Sequence, residues 1–149
     1  MYTVEKEKAA GYLFLRCLLG VIFLFQGYGK IVTLGIKKVY DLFFSGYEQL
    51  LPKWIILSTA YYTSYIELIG GVLLVLGLFK KQILYLLALD LIIVSIGHGL
   101  LEPIWDLQHV FPRAILIAAL LLLPQHWDKW KLDFILFKQP AINPTNPVN

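Results

Sequence analysis

The chain has 149 residues, 58% of them apolar and 15% charged, with a formal net charge of +3. That length fits one domain, yet a soluble domain carries about 25% charged residues and has too small a core for so much apolar surface. Lipid is the solvent that suits it, and a mean hydropathy of +0.69 agrees. The lysines gather at the ends of apolar runs, which excludes a basic stripe for nucleic acid. A lone cysteine, Cys17, excludes an internal disulfide and a C-x-x-C redox motif. Three histidines beside it do not suggest a structural zinc site.

The first apolar run covers about residues 11–31 and follows the charged start Glu5-Lys6-Glu7-Lys8. It is too long for a signal-peptide core and ends on no small-x-small pattern, so a retained helix is expected. Residues 34–51 differ. Ile36, Val39, Tyr40, Phe43, Tyr47, Leu50 and Leu51 recur at helical spacing, with Lys37, Lys38, Asp41, Glu48 and Gln49 mostly between them. An amphipathic helix at the membrane surface, or capping the bundle, is the expectation.

Three more apolar runs follow, at about 58–79, 83–101 and 105–124. Each approaches the roughly 20 residues that cross a hydrocarbon core. Lys80-Lys81 marks a tight turn, and Pro103 and Pro112 bracket a short connection. Residues 139–149 have no apolar period and read as a disordered tail. The fold expected is all-α: a four-transmembrane-helix bundle with an extra amphipathic helix between helices one and two, forming a single membrane domain over 1–138.

Four crossings put both termini and the second loop on one side. That side holds Lys6, Lys8, Arg16, Lys80, Lys81, Lys129, Lys131 and Lys138, against Lys30, Lys37, Lys38, Lys53 and Arg113 on the other. The bias favours cytoplasmic termini in a bacterial inner membrane. Trp54, Tyr61, Tyr62 and Trp105 suit one aromatic belt, and Trp127 and Trp130 the other.

An ionisable group at mid-membrane costs about 2.5–3.5 kcal/mol on insertion scales, so each needs a protein or water partner. On helix one, Arg16, Gly20, Phe23, Gly27 and Lys30 share a face. On helix two, Thr63, Glu67, Gly70, Gly71 and Leu74 do so, with Gly77 near its end. Glycines on these faces let helices approach closely. Helix three presents Asp90, Gly97 and His98, with Glu102 one turn on, while helix four is mostly aliphatic with Arg113 at its mouth. Depth, at about 1.5 Å per residue, suggests two polar layers. The inner would be a structural Arg16–Asp90 pair. The outer would gather Lys30, Glu67, His98, Arg113, Gln26 and Glu102 as ligand-binding or proton-handling residues.

His98 and His109 invite a haem reading, but they flank one short loop at the rim, which disfavours it. His126 reads as interfacial and Cys17 as inert. Tyr61, Tyr62 and Tyr65 read as part of a belt, although a quinone ring could stack there.

These residues resemble the DoxX family of small membrane proteins, over roughly Leu13 to Leu123. RCLLGVIFLFQGYGK is similar to the family pattern R-x3-G-x2-F-x3-G-x2-K, here Arg16, Gly20, Phe23, Gly27 and Lys30. ELIGGVLLVLGLF is similar to its E-x2-G-G and later glycine, here Glu67, Gly70, Gly71 and Gly77. The resemblance implies a four-helix membrane bundle, associated with quinol oxidase and thiosulfate:quinone oxidoreductase systems or thiol-stress complexes. A quinone or a partner subunit would supply the redox chemistry.

Three functions follow as expectations. The first is a redox-associated subunit binding a quinone or small lipophilic ligand in the outer layer. The second is a non-catalytic accessory or assembly subunit of a larger membrane complex, with the polar layers structural. The third is a small transporter or proton pathway from Arg16 through Glu67 to Glu102.

Overall fold

The structure is a computed structural model and describes residues 2–101 and 107–132. Glu102, Trp105 and the 139–149 tail lie outside the described residues. Helix α1 runs Tyr2–Tyr28 and continues as a wider π-helical turn, Gly29–Leu34. A strap of short pieces follows: α2, Ile36–Val39, a π turn at Tyr40–Phe44 and a 3-10 turn at Ser45–Gln49. Then come α3, Lys53–Leu76, and α4, Lys80–Leu101. A 3-10 turn at Leu107–His109 leads to α5, Phe111–Leu122, and another lies at Gln125–Trp127. Among the described residues there is no strand.

The stretches Thr3–Leu34, Lys53–Leu76 and Lys80–Leu101 are long and apolar enough to cross a bilayer. The apolar α5 has 12 residues, about 18 Å at helical rise. Three helices, α1, α3 and α4, begin earlier than hydropathy suggests. Pro52 precedes Lys53, where its missing N–H costs nothing and its ring stops any helix from continuing through the turn. Lys80 opens α4 because its charge is met by protein rather than by water.

Gly77 ends α3 at φ 71, the left-handed region that glycine adopts at low cost. Its N–H donates to Leu74, and that of Leu78 reaches back to Leu73. Arg16 and Lys131 pack where a Cβ on Gly77 would stand, so the position excludes a side chain twice over.

The main seam lies between α1 and α3. A Cβ on Gly27 would meet the backbone of Leu68, and one on Gly71 the backbone of Leu24 and Gly20. Such approach gains dispersion contact, which drives helix association where lipid is as apolar as the interface. Gly70 instead faces Ile83 and Leu87 of α4. Tyr12, Leu19, Phe23, Leu74, Leu84, Leu87, Ile117 and Leu120 fill the core between α1, α3, α4 and α5. The outer surface is apolar as well: Phe14, Phe25, Ile92 and Leu122 are exposed. A continuous apolar exterior of this kind is a lipid-facing surface.

The strap packs on the start of α3 through buried Val39 and Tyr40, with Ile56 and Ala60 beneath. Tyr47 lies close over Gly97 of α4, where a larger residue would displace it. The strap therefore roofs the end of the bundle at which α1 and α4 finish.

Candidate functional site

Two polar centres occupy opposite ends of the bundle. The first surrounds Asp128, in the segment after α5. Asp128 Oδ1 accepts from Arg16 Nη1 at 2.9 Å, and Oδ2 from Lys80 Nζ at 2.6 Å. Arg16 Nη2 donates to the Trp130 carbonyl at 2.6 Å. Lys80 also donates to Tyr12 Oη at 2.9 Å, and that hydroxyl donates onward to the Leu120 carbonyl at 3.0 Å. The Leu132 N–H bonds the Leu76 carbonyl. Arg16, Lys80, Tyr12 and Asp128 are all buried, and the cluster clamps the segment after α5 back onto α1 and α3.

This corrects the expected Arg16–Asp90 pair: Arg16 is engaged by Asp128. The reason is register. Arg16 packs on Gly77, beside the α3–α4 turn. Glu67 stands ten residues before Gly77, and Asp90 ten after Lys80. In an antiparallel pair, equal separation from the turn means equal height, about 15 Å from it. Asp90 therefore lies at the level of Glu67, and Arg16 a bundle-half away.

The second centre is built around Glu67. Lys30 Nζ stands 2.6 Å from Glu67 Oε2, an ion pair whose carboxylate is buried. Lys30 is on the π turn, a widened turn often found at functional positions. Asp90 is fully buried, and neither of its carboxylate oxygens has a hydrogen-bond partner among the described residues. Glu67, Lys30 and Arg113 are close enough for their charges to act on it. The Arg113 guanidinium lies over the Phe23 ring, 5.7 Å from its centre, a cation–π contact that holds the charge without neutralising it.

Above this centre is a cavity of about 870 Å³. Gln26 of α1, Lys30 of the π turn, His98 of α4 and Arg113 of α5 line it, with His109 and Thr63. Phe43, Phe44 and Tyr47 of the strap form its roof, and Ile55, Ile93 and Val94 are among its apolar walls. Gln26 Oε1 has no partner among the described residues. The expected outer layer is thus brought together for Gln26, Lys30, His98 and Arg113, with Glu67 behind Lys30. Glu102 lies outside the described residues. The packing glycines Gly20, Gly27, Gly70, Gly71 and Gly77 all sit at helix contacts.

The DoxX family model matches residues 11–99, well over half of the chain. The chain belongs to the DoxX family. It is an integral membrane protein, with the family match and the apolar helices in agreement. No curated protein and no solved structure matches it. The DoxX match covers Arg16, Lys30, Glu67, Asp90 and His98, and stops before Arg113 and Asp128. In this DoxX protein α5 and the segment behind it complete both polar centres.

Sequence reasoning missed Asp128 and the role of Lys80. Lys80 read as half of a charged turn, and Asp128 lay in an interfacial stretch with no pattern. The one available signal was that Arg16 needed a carboxylate at its own depth.

Proposed function

We propose that the protein binds a quinone, or a small lipophilic carbonyl compound like it, in the cavity beneath the strap. The observation that carries this is the cavity itself, about 870 Å³, within the usual range for small-molecule sites. Its apolar walls suit a ring, and its convergent Lys30, Gln26, His98 and Arg113 suit carbonyl oxygens. A bound quinone supplies reversible two-electron, two-proton chemistry, with the electrons exchanged through a redox partner subunit.

This chain's residues would do the rest. The Lys30 and Arg113 cations oppose negative charge developing on a carbonyl oxygen. The Gln26 amide orients the ring. His98 and Glu67 hold or pass protons, Glu67 by way of the Lys30 ammonium it touches. The roof of Phe43, Phe44 and Tyr47 limits water.

The finer topology belongs to the same reading. With α5 lengthened by the turns at either end, the chain crosses four times as one membrane domain. Both termini then face the cytoplasm of a bacterial inner membrane, supported by the basic bias at the α3–α4 end.

A second reading, an accessory subunit docking larger partners, draws on one observation. Tyr61 and Tyr65 stack in parallel at 6.2 Å on the exposed face of α3. The deciding experiment is organic extraction of the mildly purified protein, followed by titration with a short-chain quinone. The ligand reading expects co-purified quinone and saturable binding. A stoichiometric complex carrying no quinone, with no saturable binding, favours the accessory reading.

A further inference from the structure

The opposite end of the bundle carries a second concavity, which the ligand site does not use. Leu13 and Arg16 of α1, Val75 and Leu76 of α3, and the stretch 129–132 line an open groove of about 610 Å³. Among the described residues, every ionisable side chain on this lining is cationic: Arg16, Lys129 and Lys131. Asp128 does not neutralise them, because its single charge is shared between Arg16 and Lys80. Of these three cations Glu5 approaches Lys129 alone, at 3.7 Å, and it is shared with Lys8 at 3.5 Å. Arg16 is 1% exposed, and its Nε has no hydrogen-bond partner among the described residues.

The walls are apolar, and half-exposed Trp130 stands at the rim. The groove lies where α3 ends and the chain turns into α4, the level at which hydrocarbon gives way to head groups. A cationic floor beside an apolar wall at this level matches an amphiphile with an anionic head.

We propose that this groove holds one anionic phospholipid, its phosphate against Lys129, Lys131 and Arg16 and an acyl chain along Leu13, Val75 and Leu76. A zwitterionic lipid carries its own cation and leaves the excess charge of the groove unmet. Free phosphate leaves the apolar wall bare. A second copy of the chain would bring the same cationic edge and be repelled.

The test is native mass spectrometry of the full-length protein released from vesicles. The vesicles contain equal phosphatidylglycerol and phosphatidylcholine with matched acyl chains. Phosphatidylglycerol is expected to be retained several-fold over phosphatidylcholine. Lys129→Gln with Lys131→Gln is expected to bring the retention of the two lipids close to equal. Both are peripheral side chains, and an unchanged thermal transition checks that the double variant folds. Equal retention of the two lipids by the unmodified protein overturns the proposal without needing the variant. Unchanged retention in a folded double variant overturns it too. So does displacement of the lipid by inorganic phosphate alone, which would identify a phosphate site instead.

Discussion

At the α3–α4 turn, one carboxylate is held by two cations, and one of these, Lys80, also donates to a phenol that in turn donates to a backbone carbonyl. At the other end, Glu67 has one cation, Asp90 has no hydrogen-bond partner among the described residues, and Arg113 rests on a ring beside an open cavity. The contrast separates what charge in a membrane is for. A buried carboxylate with both oxygens bonded, as in Asp128, holds parts together. A buried group with capacity to spare is placed for something else to complete it.

The largest effect should come from breaking the Asp128 cluster. Asp128→Ala strands Arg16 and Lys80 in a buried site and should cost about 3–5 kcal/mol. Thermal unfolding in detergent would show it, while quinone affinity of the surviving folded protein stays close to the original. If Asp128→Ala leaves the transition where it was, the cluster is not the clamp described.

Next comes the seam that both centres depend on. A methyl at Gly71 would press on the Leu24 backbone, which cannot turn aside as a side chain can. Gly71→Ala should lower stability by about 1–3 kcal/mol. Gly11, with open space around it, is the control and should tolerate alanine.

The open centre should respond in the reverse sense. Arg113→Met should weaken quinone binding about tenfold or more, the usual scale for a hydrogen bond to a charged group. It should cost little stability, because Arg113 has no ion pair within 4 Å among the described residues. Calorimetric titration beside a melting curve separates the two readouts. A large stability loss with intact binding would make Arg113 a second clamp.

The smallest effect concerns the strap. Tyr40 Oη donates to Glu48 Oε1 at 2.6 Å. That bond first, then desolvation and the charges of Glu48 and Asp41, push the phenol up to about 12. The folded state thus holds this proton more tightly than the unfolded chain, whose tyrosine titrates at about 10. The stabilisation is complete below about pH 10 and is lost as pH rises through about 12. Glu48→Gln should bring the phenolate absorbance midpoint down. An unmoved midpoint would show that Glu48 does not hold the strap.

Much of this contrast was legible in the sequence, and the illegible part has a physical cause. The shared faces of α1 and α3 followed from helical period, because charges and glycines recurred at steps of three and four. Gln26, Lys30, His98 and Arg113 could be grouped because all four lie near helix mouths at one end. The Arg16 partner was misread because depth was counted along separate runs, with α4 started three residues late. Only the register set by the α3–α4 turn places Asp90 beside Glu67. Asp128 carried no signal of its own, since a return of the chain after α5 has no periodicity to betray it.

The central claim is that a quinone-like ligand sits beneath the strap, between the ends of α1, α4 and α5. Photolabelling the membrane-reconstituted protein with an azido-quinone, then mapping the labelled peptides, tests it most directly. The account predicts label on the stretches bearing Gln26, Lys30, His98 and Arg113, competed away by unlabelled quinone and lost in Arg113→Met. Label spread along the lipid-facing residues of α1 and α3, unaffected by competitor, would contradict it.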